Sequence, residues 1–216
     1  MTKLIIFDLD GTLIDTREDI ANACNHALEQ CGFPQRSLEE YNMLVGRGID
    51  NLFRGAMPAG QVSEDNVARM RSIFIPYYNE HGCDFTRPYE GIMPMLEALA
   101  AKGLHFAVAS NKYQQGTEQL VQHFFGNHKF VKILGQRDGM PIKPDPQIVE
   151  EAMSAVPGIT YDEVLYVGDS DVDMQTGINA GIRTIGVTWG FRTREELEAY
   201  SPWRLIDSPD ELCTII

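Results

Sequence analysis

The 216 residues, 44% of them hydrophobic, are enough for one full core and a smaller module. A net charge of −13, from 31 acidic against 18 basic residues, repels phosphate backbones and anionic lipid and argues against nucleic acid as a partner. An anionic substrate would need a local cation to reverse that field.

No apolar run reaches the ~20 residues of a membrane span, so no membrane partner is expected. The N-terminal apolar stretch is too short for a signal peptide, because acids interrupt it at Asp8 and Asp10. Four cysteines without a C-x-x-C pair read as a reduced, cytoplasmic pattern.

Leu4 to Phe7 reads as a short, fully buried strand. From Thr16 the apolar period becomes helical through Ile20, Ala23, Cys24, Ala27, Leu28 and Cys31, and Gly32 and Pro34 end the element. Thr16 with Asp19, and Ser37 with Glu40, read as capping boxes at two helix starts. Gly46 and Gly48 break the second helix. A further helix over 63–81 is expected to bend at Pro76. Residues 16–84 are therefore expected to be all-helical.

After Pro88 helices and strands alternate. Helices are expected over 91–102, 116–125, 146–155 and 174–180, each followed by a strand: LHFAVAS, FVKIL, VLYVGD and RTIGVTW. A short helix over 193–200 and the segment RLIDSPDEL close the chain. Strands separated by helices imply a parallel sheet covered on both faces. Right-handed crossovers then give a doubly wound α/β fold, in which ligands bind beyond the carboxyl ends of the strands.

Those ends carry the chemistry. The first strand runs into Asp8, Asp10 and Thr12. The next ends in Ser110 and Asn111, the loop after FVKIL offers Lys143 in PIKPDP, and VLYVGD ends in Asp169 with Ser170, Asp171 and Asp173 behind it. Carboxylates crowded in a dry site cannot all ionise without a cation. An all-oxygen donor set suits a hard divalent ion, foremost Mg²⁺. Lys143, Thr12 and Ser110 can then meet phosphoryl oxygens. In the D-x-D pair, the first carboxylate can attack phosphorus and the second can hold a proton for the leaving oxygen. A lone D-x-D is as well explained as a turn former. The ordered set at four strand ends is not.

DLDGTL, the strand-end Ser110, the lysine of KPDP, and GDSDVD resemble, in that order, the four motifs of the haloacid dehalogenase superfamily, and more narrowly its phosphoglycolate phosphatase branch. The resemblance spans nearly the whole chain. It implies a Rossmann-like core over 1–15 and 85–216 and a mobile helical cap over 16–84. It implies Asp8 as nucleophile and metal ligand, and Asp10 as acid/base with a metal-binding backbone carbonyl. Thr12 and Ser110 become phosphate-binding hydroxyls, with Asn111 adding a donor, and Lys143 the neutralising cation. Asp169 becomes a direct metal ligand, with Asp173 behind it. Asp171 is left without a role.

Arg47, set between Gly46 and Gly48, is the cap residue expected to meet substrate, through a bidentate pair with a carboxylate. The five histidines share no metal-ligand spacing. The activity implied is Mg²⁺-dependent hydrolysis of a small phosphorylated metabolite, 2-phosphoglycolate by resemblance, by a monomer or weak homo-oligomer. A sugar phosphomutase could use the same core. A receiver domain also has an acidic pocket, but is about half this length and lacks the helical insertion.

Overall fold

With Leu4–Phe7 buried at every position, β1 has no face to offer water. Such a strand fits only the middle of a sheet covered on both sides. In the computed structural model, which describes residues 1–216, it lies there.

In chain order, β2 (Ile14–Asp15) follows β1. The helices α1 (Arg17–Cys31), α2 (Tyr41–Leu44), α3 (Ile49–Ala56) and α4 (Glu64–His81) come next, then β3 (Arg87–Pro88) and α5 (Ile92–Ala101). The rest is β4 (His105–Tyr113), α6 (Gln114–Phe125), β5 (Phe130–Gln136), α7 (Gln147–Met153), β6 (Val164–Gly168), α8 (Asp171–Ala180), β7 (Arg183–Val187), α9 (Arg194–Glu198), β8 (Arg204–Ile206) and α10 (Pro209–Ile215). The main sheet has the order β5-β4-β1-β6-β7-β8, and every pairing is parallel. The chain crosses from β1 to β4 and β5 on one side, then returns to β6 on the other. The switch in direction falls at the carboxyl end of β1, where Asp8 begins.

Alternate residues of β1 face opposite layers. Leu4 and Ile6 pack with Ala107, Leu134, Val149 and Tyr166. Ile5 and Phe7 join the larger cluster of 39 buried residues, which runs through Leu9 and Leu13 into Ile20, Leu28, Phe53 and Phe74 of the helical lobe. Sheet and lobe thus share one continuous apolar cluster.

The lobe departs from expectation at its starts. Thr16 and Asp19 form no capping box. Thr16 precedes α1 without a side-chain cap bond, and its hydroxyl donates to Asp10 Oδ1 at 2.7 Å. Asp19 is buried and accepts from Phe85 N, Thr86 N and Thr86 Oγ1, at 3.1, 2.8 and 2.7 Å. Donors far along the chain outcompete the local cap, because a buried carboxylate left unpaired costs more than a lost cap.

The expected helix from Ser37 shortens to the single turn α2. Asn25 of α1 binds both backbone groups of Arg36, while the Glu40 carboxylate reaches back to Ser37 N. Helix α4 runs through Pro76. Cys24 and Cys31 are buried free thiols. A two-residue antiparallel ribbon, β2 with β3, joins the lobe's exit and return. No helix is long and apolar enough to cross a membrane.

Candidate active site

Beyond β1, Asp8 N still donates to Val167 O at 2.9 Å, extending the ladder by one residue. The chain then turns sharply, with Leu13 N and Ile14 N both bonded to Leu9 O. Gly11 holds φ +86 in this turn, and a Cβ there would lie 2.3 Å from Asp169 Oδ2. A Cβ on Gly190 would lie 2.3 Å from Asp169 Cβ. Two glycines from distant segments therefore form the slot that seats Asp169. Its Oδ1 accepts from Thr12 Oγ1 at 3.0 Å, and its Oδ2 from Phe191 N at 2.8 Å.

The sequence-predicted charges converge here. Lys143 Nζ lies 2.9 Å from Asp8 Oδ1, 2.7 Å from Asp173 Oδ1 and 3.0 Å from the Tyr166 hydroxyl. Asp173 sits in the first turn of α8, and its Oδ2 accepts from Ser170 N and Ser170 Oγ at 3.0 and 2.6 Å. Donor atoms of Asp8, Asp169 and Asp173 all lie within 4.8 Å of one another, and all three residues are buried.

One lysine cannot offset three carboxylates. Burial, then the neighbouring Asp173, pushes the Asp8 carboxyl well above its usual range, although Lys143 pulls it down. Burial and Asp173 raise Asp169 to about 7, against bonds from Phe191 N–H and the Thr12 hydroxyl. Burial lowers Lys143, but Asp173 and Asp8 outweigh it and hold the ammonium charged.

The donor set fits a divalent cation. Asp8 Oδ1 is buried and lacks a hydrogen-bond partner, Lys143 being close but not aligned as a donor. Both Asp173 oxygens are occupied by Lys143, Tyr166 and Ser170. Each Asp173 oxygen takes two donors, whereas each Asp169 oxygen takes one and Asp8 Oδ1 takes none, so Asp8 and Asp169 keep lone pairs for an all-oxygen set of the kind that holds Mg²⁺.

Asp10 stands on the other side of Asp8, and its Oδ1 also lies 3.2 Å from Lys112 Nζ. Asp8, Asp10, Ser110, Asn111 and Lys112 border a cavity of about 50 Å³, whose far wall is Ile20, Leu44, Val45, Ile49, Leu52 and Phe74 of the lobe. Ser110 faces it. Thr12 does not, because its hydroxyl is turned to Asp169. Asn111 is a brace: its amide accepts from Lys143 N at 2.9 Å and donates to Lys143 O and to Gly46 O, each at 3.1 Å.

Gly46 and Gly48 approach the cavity as expected, but Arg47 does not line it. Its Nη2 lies 2.5 Å from Asp171 Oδ2, which gives Asp171 a partner and ties the lobe to α8. The buried Arg192, which follows β7, donates to Asn42 O and, at 3.1 Å, to Val45 O of the lobe.

Sequence reasoning missed Lys112, Tyr166 and Arg192. Lys112 follows Ser110 by two positions, so strand alternation puts both on one face, a signal the sequence did carry. Tyr166 stands in a strand whose sequence is otherwise apolar, and its buried hydroxyl accepts from Lys143 and donates to Ala109 O.

Residues 5–187 match the profile of the haloacid dehalogenase-like hydrolases. A phosphoglycolate phosphatase of Vibrio parahaemolyticus is 32% identical over 219 residues, covering 99% of this chain and 96% of that protein. One of Haemophilus influenzae is 31% identical over 220 residues, covering 99% and 98%. Among solved structures, a predicted phosphoglycolate phosphatase from Haemophilus somnus superposes with a TM-score of 0.91 at 30% identity, covering 99% of this chain and 97% of that one. By match, fold and ordered acidic motifs alike, the chain belongs to the haloacid dehalogenase-like hydrolases and is a phosphatase of that family.

Proposed function

We propose that the chain is a Mg²⁺-dependent phosphomonoesterase that works through an aspartyl phosphate and acts on 2-phosphoglycolate. The observation carrying this reading is the placing of Asp8. One of its oxygens lacks a hydrogen-bond donor, Lys143 stands 2.9 Å away, and the carboxylate opens onto the small cavity.

In this reading Asp8 attacks phosphorus in line and the alkoxide leaves. Lys143 steadies Asp8 and neutralises charge on the transferred group, while Ser110 offers its hydroxyl to a phosphoryl oxygen. Thr12 acts indirectly, by orienting Asp169. Asp10 gives its proton to the departing oxygen, then takes one from the water that cleaves the acyl phosphate. Thr16 and Lys112 hold that carboxylate in place. Asp8 and Asp169 would hold the metal, with the Asp10 carbonyl as a further ligand, and Asp173 would fix Lys143. The metal, when bound, neutralises phosphoryl oxygens and orients the group for attack. The helical lobe acts as the cap, excluding bulk water when closed.

The cavity's size supports a small leaving group. A water needs roughly 10–15 Å³ of such volume, so about 50 Å³ takes only a few small groups. Glycolate is of that scale and a hexose is larger, so the cavity suits a small phosphate ester better than the hexose of a sugar phosphomutase. The relatives named phosphoglycolate phosphatase support the substrate.

The test is phosphate release with Mg²⁺ across 2-phosphoglycolate, sugar phosphates, nucleotides and pyrophosphate. The highest kcat/KM is expected for 2-phosphoglycolate. Hexose phosphates that interconvert without releasing phosphate would overturn the reading.

A further inference from the structure

The cavity wall carries carboxylates, an amide, the hydroxyl-bearing Ser110 and Tyr113 and apolar side chains, but one cation, Lys112. Its side chain is only 6% exposed. The ammonium sits 3.2 Å from Asp10 Oδ1, accepts no bond, and donates to the Tyr78 hydroxyl at 3.0 Å. It also lies 4.5 Å from the centre of the Tyr78 ring. An ammonium has three N–H bonds. Tyr78 takes one, and Asp10 stands beside the ammonium as an ion-pair partner, so N–H groups remain for a ligand. Tyr78 belongs to α4 and Lys112 to β4, so lobe and sheet fix the charge together.

We propose that Lys112 is a specificity-determining residue: it binds a carboxylate on the carbon next to the phosphate ester, so that the cavity selects phosphorylated 2-hydroxy acids. This rests on the hydrolase reading given above.

The geometry carries the assignment. Asp10 is the group placed to meet the ester oxygen, at a hydrogen-bond length of about 2.8 Å. An oxygen on the adjacent carbon lies about 3 Å from that ester oxygen, by ordinary bond lengths. Lys112 Nζ, at 3.2 Å from Asp10 Oδ1, is therefore within reach of the same small molecule. The opposing wall carries only apolar side chains, Leu44, Val45, Ile49, Leu52 and Phe74, with the backbone of Gly46 and Gly48 between them, and so no charge to match a carboxylate. A carboxylate entering such a cavity is costly unless a cation receives it. Arg47 is the cation the sequence suggested for this task, but it does not line the cavity and is engaged by Asp171.

A matched pair of substrates separates this role from a merely structural one. 2-Phosphoglycolate and 2-hydroxyethyl phosphate differ in carboxylate against hydroxymethyl, while the ester, the phosphate and the chain length stay the same. The readout is the ratio of their kcat/KM values in the wild type, Lys112→Met and Lys112→Gln, with thermal unfolding of each variant as a control. Losing a charge-assisted bond should lower that ratio by about 10- to 100-fold, through KM for 2-phosphoglycolate. Both neutral variants should lose it, so one of them failing to fold leaves the other to decide.

A ratio unchanged in a folded variant, with both substrates slowed equally, would overturn the proposal. Lys112 would then act only by positioning Asp10, and the hydrolase reading would stand. A wild type that hydrolyses both phosphate esters with equal efficiency would reject both this proposal and the 2-phosphoglycolate assignment.

Discussion

The two ion pairs on either side of α8 differ sharply. Asp173 and Lys143, at 2.7 Å, are 0% and 1% exposed and share Tyr166 as a further partner, and Ser170 donates to Asp173 as well. Asp171 and Arg47, at 2.5 Å, are 19% and 53% exposed. The residues are two apart on one helix, yet one pair is locked into the sheet edge and the other is a surface contact between lobe and core. A buried pair stripped of one partner leaves a charge without compensation, and that is strongly destabilising. An exposed pair contributes about 0–1 kcal/mol. The pair in the acidic cluster is thus the one that holds its shape, while the Arg47–Asp171 pair adds little to what the shared apolar cluster and Arg192 already hold between lobe and sheet.

The largest expected effect breaks the rigid half at the carboxylate proposed to react. Asp8→Asn should lower kcat by at least about 10⁴-fold, as removal of a nucleophile does elsewhere. Its Tm should hold or rise, because burial and Asp173 already oppose the charge on Asp8. Wild-type-like phosphate release would remove Asp8 from the mechanism.

Next comes the seat of Asp169. Gly190→Ala puts a methyl 2.3 Å from Asp169 Cβ, so the carboxylate must shift. Displacement by an ångström or so costs about 10²-fold in rate, and the overpacking costs about 1–3 kcal/mol. Steady-state kinetics and denaturant unfolding read both. A silent substitution would mean the slot is looser than its geometry.

Asp19→Ala strips the acceptor from two backbone N–H groups and one hydroxyl at the lobe's root. Stability should fall by about 2–3 kcal/mol in urea unfolding, while the spacing of Asp8, Asp169 and Lys143 is kept. A large loss of kcat at full occupancy with an unchanged unfolding midpoint would contradict this division.

Metal and proton should compete for the cluster. Burial and Asp173 raise Asp169 to about 7, so the folded chain holds that proton more tightly than the unfolded chain. The protonated acid therefore favours folding at low pH, and that advantage is lost as pH rises through about 7. With chelator present, Tm should drop across that window, and Mg²⁺ should raise Tm more at pH 8 than at pH 5. Equal shifts at both pH values would place the metal away from Asp169.

The smallest effect is expected from Arg47→Ala, which opens the exposed pair. Stability should change by less than about 1 kcal/mol. Any change in turnover should be within about tenfold. A loss matching that of Asp8→Asn would make Arg47 part of the chemistry after all.

The sheet was legible because its strands are short apolar runs set off by glycine and acids, and the convergence of Asp8, Ser110, Lys143 and Asp169 followed from placing each at a strand end. Lys112 was hidden by its ordinariness, being one more lysine beyond an assigned pair. Tyr166 was absorbed into an apolar pattern that says nothing of where a hydroxyl points. Thr16 and Asp19 misled for a physical reason. Their spacing satisfies a local rule, but Asp10, across the turn after β1, and Thr86, far along the chain, bind them instead. Arg47 is expected from its flanking glycines to meet a substrate carboxylate, whereas in the fold it pairs with Asp171, which lies far along the chain and can be found only in three dimensions.

The ribbon of Ile14–Asp15 with Arg87–Pro88 has a consequence for the gene as well as for the molecule. The chain leaves the sheet and re-enters it through neighbouring strands, so everything in between hangs from one doorway. Excising the lobe and bridging Asp15 to Arg87 with a tight turn would leave the parallel strands in their order. A replacement for the segment would have to cover the apolar side chains that it shares with the sheet, such as Leu9 and Leu13.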